Sequence, residues 1–271
     1  MSFSEYLRGG VVFRAARNME TAGGVVHAFS TRLGGVSEGA LAAMNLGTTR
    51  GDEPERVREN YRRFCAAAGL RADRLAMSNQ VHGNHVRVIT VADVKRDIYD
   101  PEGYQADGLV TDIPGITLTV FSADCIPVLL YDPVRRVAAA VHAGWMGTAK
   151  GVVRQAAEKM IQLYGCKPAD ILAAIGPGIS KCCFETHADV PNAMTEGMGA
   201  QALPCIRPLE GGKYMVDLKG LNACWLKGAG ISPTNIAIDA ECTMCSPDKY
   251  WSHRAHGAQR GSQAAMIALA E

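Results

Sequence analysis

Four short runs rich in β-branched and apolar residues follow one another in the middle of the chain, and they limit the folds that it can adopt. They cover residues 86–91, 117–122, 127–131 and 137–142, separated by clusters of Gly, Pro and Asp. Runs of this length and composition, bounded by turn residues, are typical of buried strands. The sequence therefore predicts a sheet at the centre of the fold.

Helical periodicity flanks these strands. Residues 52–70 open with acidic residues and Pro54, then repeat apolar residues on one stripe: Val57, Tyr61, Phe64, Cys65 and Ala68. A helix is predicted over 147–164 in the same way, with these residues facing inward: Val152, Val153, Ala156, Met160 and Leu163. We also expect helices at 217–227 and 261–269, strands at 171–175 and 236–238, and a turn at 176–178.

Strands in the middle with helices on either side indicate an α+β fold, a mixed-sheet core covered by helices. Linkers, repeats and low-complexity segments are absent from the 271-residue sequence. We therefore expect a single domain over residues 1–271, since mixed folds of this length often form one core.

Composition narrows the classes of function. The formal net charge is +1, with 28 basic and 27 acidic residues and no long run of one sign, which argues against a nucleic-acid partner. No apolar run approaches the ~18 residues of a membrane helix, and the first residues do not resemble an export signal. We expect a cytoplasmic protein whose nine cysteines are reduced.

Reactive side chains concentrate in three segments at predicted strand ends, 79–83, 123–127 and 141–147, which contain His82, Cys125 and His142. Two imidazoles and one thiolate suit a borderline-soft divalent ion such as zinc. Three protein ligands leave the fourth tetrahedral position for water or substrate, as in catalytic zinc sites. The alternative is that each is an ordinary packed residue, the commoner situation for a single His or Cys.

The histidines and cysteines near the C-terminus suggest a second metal site as an alternative interpretation. Cys242 and Cys245, followed by His253 and His256, suggest a structural zinc site, but their spacing is poor for one. A turn with buried thiols is the better interpretation. His85, three residues after His82, fits a surface or supporting position better than a ligand position.

The motifs, taken in order, resemble those of the laccase-domain family, also named multicopper polyphenol oxidases. The resemblance spans nearly the whole chain, from Phe29-Ser30-Thr31-Arg32-Leu33-Gly34-Gly35 and Met44-Asn45-Leu46-Gly47 to Glu241-Cys242-Thr243 and Ser252-His253-Arg254. Members of this family are described as zinc-dependent purine nucleoside phosphorylases. The chain departs from the expected Thr-Gly-Arg at 258–262, which leaves the role of Arg260 open.

The resemblance implies a fold of two mixed sheets between helix layers (α/β/β/α-like) and a zinc ion on His82, Cys125 and His142. It also implies a binding pocket for a purine nucleoside and phosphate, with Arg32 as the catalytic anion-binding residue and Ser30 and Asn45 beside it. Adenosine, inosine, guanosine and S-methyl-5′-thioadenosine are the implied substrates, with adenosine deamination as a further activity.

Residue chemistry adds candidates for the reaction. Trp145, beside His142, is either a stacking partner for the base or a core residue at a strand-to-helix turn. Asp124 and Glu185 are candidate acids, although Asp124 is expected rather to orient a ligating histidine, because metal-bound histidines usually have such a partner.

Three other readings remain open. A copper-dependent polyphenol oxidase also uses two His and one Cys, but the seven histidines include no His-x-His pair for a multinuclear copper cluster. A metal-free hydrolase, acting for example on peptidoglycan precursors, would use Cys125 as nucleophile and His142 as base. A structural zinc protein would need a fourth ligand. Metal content separates these classes.

Overall fold

A computed structural model describes residues 3–101 and 103–271. The described residues form seven α-helices: α1 Arg17–Ala22, α2 Pro54–Ala68, α3 Trp145–Ala149, α4 Val152–Tyr164, α5 Asp189–Met198, α6 Leu218–Gly228 and α7 His253–His256. They also form fifteen strands: β1 Phe3–Arg8, β2 Val11–Ala16, β3 Val25–Ser30, β4 Leu75–Ala76, β5 Val86–Val88, β6 Gly108–Thr111, β7 Thr117–Ser122, β8 Ile126–Asp132, β9 Val137–Ala143, β10 Leu172–Ile175, β11 Glu185–Thr186, β12 Ile206–Pro208, β13 Tyr214–Val216, β14 Ile236–Ile238 and β15 Gln263–Leu269.

Two six-stranded mixed sheets form the centre of the molecule. Their strand orders are β1-β2-β3-β15-β7-β4 and β14-β10-β8-β9-β6-β5, and β11-β13-β12 form a small third sheet. An apolar layer joins the two large sheets, with Leu118 and Ile267 from the first packed together with Leu129 and Ala140 from the second. Helix α2 covers the outer face of the first sheet, and α4 and α6 cover that of the second. The α+β class and its layered arrangement are thus confirmed.

The helix predicted over 52–70 is present as α2, and its structure follows from its sequence. Pro54 occupies the first helical turn, where a missing N–H costs nothing. All five residues of the predicted apolar stripe are buried against the first sheet. Gly69 ends the helix in the left-handed conformation with φ +76°, which a glycine adopts without strain.

The single helix predicted over 147–164 is wrong in one respect, because the segment is divided into α3 and α4. Gly151 lies between them with φ +70°, and the left-handed backbone interrupts the helical hydrogen bonds. The predicted inward face is otherwise present, but Leu163 is 59% exposed. Helical periodicity alone did not reveal the break.

The helix predicted at 261–269 is also wrong, since residues 263–269 form strand β15 between β3 and β7. Every residue of β15 is buried. One face (Ala265, Ile267) enters the layer between the sheets, and the other (Ala264, Met266) packs under α2. A strand buried on both faces lacks the polar and apolar alternation by which a strand is recognised in a sequence.

The remaining predicted strands and the helix at 217–227 are present within a few residues of their expected bounds, with the strand predicted at 86–91 shortened to β5. Within the described residues, no helix is both long and apolar enough to cross a bilayer. The assignment of the whole chain to one domain stays a prediction.

Candidate metal centre

The structure brings together His82, Cys125 and His142. Their ligand atoms all lie within 4.8 Å of one another. The sulfur of Cys125 is 3.8 Å from Nε2 of His82, and the two imidazole rings meet edge to face with centroids 4.9 Å apart. His142 is buried and His82 is exposed, so the triad extends from the core to the surface.

Strand pairing and unusual backbone angles position these side chains. His142 lies near the end of β9, which pairs with β8 directly after Cys125. His82 and Asp124 have left-handed φ angles of +59° and +82°. Such angles are uncommon outside glycine, and they often occur at functional sites, where surrounding contacts hold the strained backbone in place.

Asp107, which the sequence analysis did not identify, holds two of the three ligands. Its fully buried Oδ1 lies 2.9 Å from Nδ1 of His142 and accepts the backbone N–H of His82 at 3.0 Å. Its Oδ2 accepts the N–H groups of Gly83 at 2.7 Å and Val81 at 3.2 Å. With Nδ1 donating to this carboxylate, Nε2 of His142 is left to bind a metal.

The electrostatics of the triad favour a thiolate at Cys125 beside a protonated His142, since burial lowers the pKa of His142 but Cys125 and Asp107 raise it to about 9. Burial raises the pKa of the Cys125 thiol, but His142 and His82 outweigh it and lower that pKa to about 6. Burial also raises the pKa of Asp107, yet His142 and the N–H groups of Gly83 and Val81 hold it below the usual value. A thiolate and two imidazoles form a donor set that fits a borderline-soft divalent ion.

Gly144 provides the space for this cluster. A Cβ atom at this position would lie 2.7 Å from Cδ2 of His82 and 3.1 Å from the sulfur of Cys125. Any side chain here would therefore push into the ligands.

Two cavities meet at the triad. The first, of about 360 Å³, has a mixed lining whose polar side chains include Arg50, Ser78 and Gln80. The second, of about 590 Å³, is lined by apolar groups such as Trp145 and Phe184 together with polar side chains. His82, Cys125 and Arg260 line both cavities. The triad therefore borders two open spaces, and the second is the more apolar of the two.

Arg50 and Arg260 bring positive charge to the first cavity. Burial and the neighbouring Arg50 lower the pKa of Arg260 to about 10, so its guanidinium is still charged at neutral pH. Arg260 donates to the carbonyl oxygen of Gly261 at 3.0 Å, and Arg50 donates to Oγ of Ser262 at 3.1 Å. This pair makes the first cavity suitable for an anion.

Arg32, by contrast, is engaged elsewhere. Its guanidinium donates to the carbonyl oxygens of Ala42 and Pro247 at 3.1 and 2.9 Å and lies 4.0 Å from the ring centroid of Trp251. It is not among the described residues that line the two cavities. Its predicted anion-binding role gains no support from these contacts and stays a prediction.

Ser30 and Asn45 are buried and bond to the backbone. Oγ of Ser30 accepts the N–H of Ala264 at 2.9 Å, and Oδ1 of Asn45 accepts those of Gly47 and Ser262. Neither belongs to the described lining of the two cavities. Since Gly47 and Ser262 both line the first cavity, Asn45 supports its wall.

Asp124 does not contact a ligating histidine as expected. Its carboxylate accepts a hydrogen bond from Oγ1 of Thr243 at 2.6 Å and another from the N–H of Arg254 at 2.7 Å. Asp107 occupies the expected position instead, because it precedes β6, the strand that pairs with β9 beside His142. The sequence signal for Asp107 was weak, because it consists only of an aspartate followed by a glycine at the start of a strand.

The other candidates lie around the second cavity. Trp145, the first residue of α3, and Glu185 both line it, and Glu185 forms an ion pair with Lys213 at 2.7 Å. His85 is exposed, as expected. The catalytic roles of Asp124 and Glu185 and the stacking role of Trp145 stay predictions.

A second cluster joins Cys182, Cys183, Cys242 and Cys245. Cys242 and Cys245 therefore group with these cysteines and not with His253 and His256, so the structural zinc site considered for those four residues is wrong. The preferred interpretation, a turn with buried thiols, holds for Cys242 alone, since Cys245 is exposed. Cys182 and Cys183 lie about sixty residues earlier, a separation at which a sequence pattern does not reveal contact.

Comparison with known proteins identifies the family. The family described as multi-copper polyphenol oxidoreductase laccase matches residues 26–270. The chain belongs to this family. It is 38% identical over 246 residues to a protein of Deinococcus radiodurans named purine nucleoside phosphorylase, with 90% of this chain and 89% of that protein covered.

Two further relatives and one solved structure are also similar to this chain. A Mycobacterium tuberculosis protein, also named purine nucleoside phosphorylase, is 40% identical over 226 residues, covering 83% of this chain and 84% of its own length. The mouse relative, purine nucleoside phosphorylase LACC1, is 34% identical over 91% of this chain, which spans just 56% of the mouse protein. The crystal structure of YlmD from Geobacillus stearothermophilus superposes with a TM-score of 0.92 at 29% identity, covering 99% of both chains.

Proposed function

We propose that the chain is a zinc-dependent purine nucleoside phosphorylase. It would cleave adenosine or inosine, and also guanosine and S-methyl-5′-thioadenosine, with phosphate to give the free base and the corresponding ribose 1-phosphate. The observation that carries the proposal is the open three-residue site between a cavity lined by two arginines and a more apolar cavity. The names of the relatives support the same activity.

Zinc suits His82, Cys125 and His142 because these ligands pair a lowered thiol pKa with two imidazoles and leave one position facing the cavities. A bound zinc ion supplies Lewis-acid stabilisation of negative charge at that position. A multinuclear copper centre needs histidines. Among the described residues, the other grouping of metal-binding side chains consists of cysteines, so it does not support a copper oxidase.

The first cavity is the proposed place for phosphate. The guanidinium groups of Arg50 and Arg260 border it beside the triad and can bind an anion through paired hydrogen bonds. Phosphate held there would be oriented toward C1′ of the ribose, so that binding supplies part of the barrier reduction as proximity. This assignment replaces Arg32 by Arg260 as the principal anion-binding residue.

The purine would then occupy the second cavity, where Trp145 and Phe184 offer aromatic surface for the base. The departing base needs a proton. Both oxygens of Asp124 already accept hydrogen bonds, which suits a positioning role, and Lys213 lowers the pKa of Glu185. His187 and His253 line the same cavity and offer protonatable imidazoles for this step.

The test is hypoxanthine release from inosine by the purified chain, with and without phosphate. We expect release to require phosphate and to be lost in Cys125→Ala together with one equivalent of bound zinc. Cys65→Ala, which removes a buried thiol under α2, is the matched control and should keep both. Ammonia release from adenosine measures the deaminase activity in the same preparation.

Two outcomes contradict the proposal. Hydrolysis of inosine at the same rate without phosphate would indicate a nucleoside hydrolase. Stoichiometric copper with rapid oxidation of phenols would support the oxidase reading instead.

A further inference from the structure

The cluster of Cys182, Cys183, Cys242 and Cys245 lies outside the triad and has no part in the proposed reaction. It joins two loops, one after β10 and one after β14. The sulfur of Cys245 is 3.3 Å from that of Cys183 and 3.6 Å from that of Cys182. All four sulfur atoms lie within 4.8 Å of one another.

These separations agree with tetrahedral coordination. Zinc–sulfur bonds of about 2.3 Å place the sulfurs of a tetrahedral tetrathiolate site about 3.8 Å apart. We propose that the four cysteines bind a second zinc-class metal ion in a closed, structural tetrathiolate site. Four protein ligands leave no position for substrate, in contrast to the triad.

The surroundings of Cys242 suit a metal-bound thiolate. The N–H of Ser180 lies 3.3 Å from its sulfur. Backbone donors of this kind commonly surround and orient metal ligands.

A buried cation offsets the negative charge that such a site would carry. Lys219 is 4% exposed, and its ammonium donates to the carbonyl oxygens of Asp239 and Glu241. Burial lowers the pKa of Lys219, while Asp239 and the nearby Cys242 and Cys182 counteract this shift. A zinc ion on four thiolates has a net charge of about −2, which a buried ammonium helps to stabilise.

One of the two loops joined by the cluster, the one after β10, also lines the second cavity. Phe184 and Glu185 line the cavity directly after Cys183. Thr243, between the other two cysteines, donates to Asp124, the neighbour of Cys125, and its N–H bonds to the carbonyl oxygen of Gly178 at 3.2 Å. The second metal would thus fix one wall of the cavity from outside the reaction site.

The experiment is zinc titration and elemental analysis of the full chain under reducing conditions. We expect two zinc equivalents for the unchanged protein, one for Cys125→Ala, one for the double variant Cys182→Ser/Cys245→Ser, and two for the control Cys224→Ser. Retention of two equivalents by the double variant, or loss of all zinc in Cys125→Ala, would overturn the proposal. These variants also distinguish failure of the second-metal proposal from failure of the proposed function, because the proposed function concerns only the triad.

A spectroscopic measurement keeps the test valid if the double variant does not fold. Cys125→Ala loaded with Co²⁺ has no thiolate at the triad, so strong thiolate-to-cobalt charge-transfer absorption must come from the cysteine cluster. We expect that absorption, and we expect zinc to abolish it. Absence of this charge-transfer absorption would contradict the proposal. A Cys183–Cys245 disulfide found by mass spectrometry in the freshly reduced protein would contradict it as well.

Discussion

The carboxylate of Asp107 lies 2.9 Å from Nδ1 of His142 and also accepts the backbone N–H of His82. One fully buried side chain therefore fixes the orientation of one ligand and the loop that presents another. Histidines that bind a metal commonly have such a partner, which fixes the orientation of the ring.

Asp107→Asn should weaken zinc binding at the triad by about 10- to 100-fold. An amide replaces one acceptor oxygen by a donor, which then faces N–H groups that need an acceptor. Competition with a chromogenic chelator measures the affinity. Asp132→Asn is the matched control, because Asp132 is equally buried and accepts N–H groups of Val134 and Arg135 in a turn away from the triad. Equal zinc affinities in the two variants would contradict the role of Asp107.

Gly144→Ala should reduce both zinc content and activity without unfolding the chain. The added Cβ would lie 2.7 Å from His82 and 3.1 Å from the Cys125 sulfur, so the ligands must move apart. Gly228→Ala at the end of α6 adds the same methyl group where no atom lies within 4 Å, and it should leave both quantities unchanged. A Gly144→Ala protein with normal zinc content would show that the ligands can shift at no cost.

Arg260→Ala should raise the KM for phosphate by at least about tenfold, because charge-assisted hydrogen bonds to an anion contribute about 1.5–3 kcal/mol. Arg50→Ala should act in the same direction and less strongly, since its side chain is more exposed. Steady-state rates at varied phosphate and fixed inosine test this. An unchanged KM for phosphate in both variants would place the anion elsewhere.

Arg32→Ala should instead lower stability, by about 1–3 kcal/mol, because it leaves the carbonyl oxygens of Ala42 and Pro247 without their donor. The contact with Trp251 is lost as well. Urea denaturation measures the change, and the folded protein should keep its KM for phosphate. A raised KM at unchanged stability would restore the role that the family resemblance implied.

His27 should make stability fall with acid. Burial lowers its pKa to about 4, and its Nε2 accepts the N–H of Ala16 at 2.8 Å, which requires a neutral ring. Above pH 6.5 the ring is neutral in the folded and unfolded chains. Between pH 6.5 and 4 the unfolded chain alone takes up the proton, which costs about 3 kcal/mol of stability over that window.

Urea denaturation at pH 7 and pH 4.5 tests this loss by comparing His27→Gln with the unchanged chain. Glutamine can accept the same N–H without titrating, so the variant should lose less stability on acidification. His85→Gln, at an exposed position, should follow the unchanged protein. Parallel pH dependence in all three would exclude His27 as a source of acid sensitivity.

The cysteines show which contacts a local sequence pattern can predict and which it cannot. The short spacing of Cys242 and Cys245 was visible, but the nearest histidines in the sequence were the wrong partners. The true neighbours, Cys182 and Cys183, are brought in by the bridge between Gly178 and Cys242, which follows from the parallel pairing of β10 and β14. Pairing of distant strands is decided by packing of the whole sheet and leaves no local signal.

The α+β class, six of the fifteen described strands and the three candidate metal ligands could be predicted from the sequence alone, because apolar periodicity and donor chemistry are properties of short segments. The other features could be seen only in the folded chain. The tertiary structure showed that β15 is a strand buried on both faces, that Asp107 orients His142 and His82, and that Arg260 rather than Arg32 borders the triad. These features depend on contacts between residues far apart in the chain, and such contacts form only when both sheets are packed together.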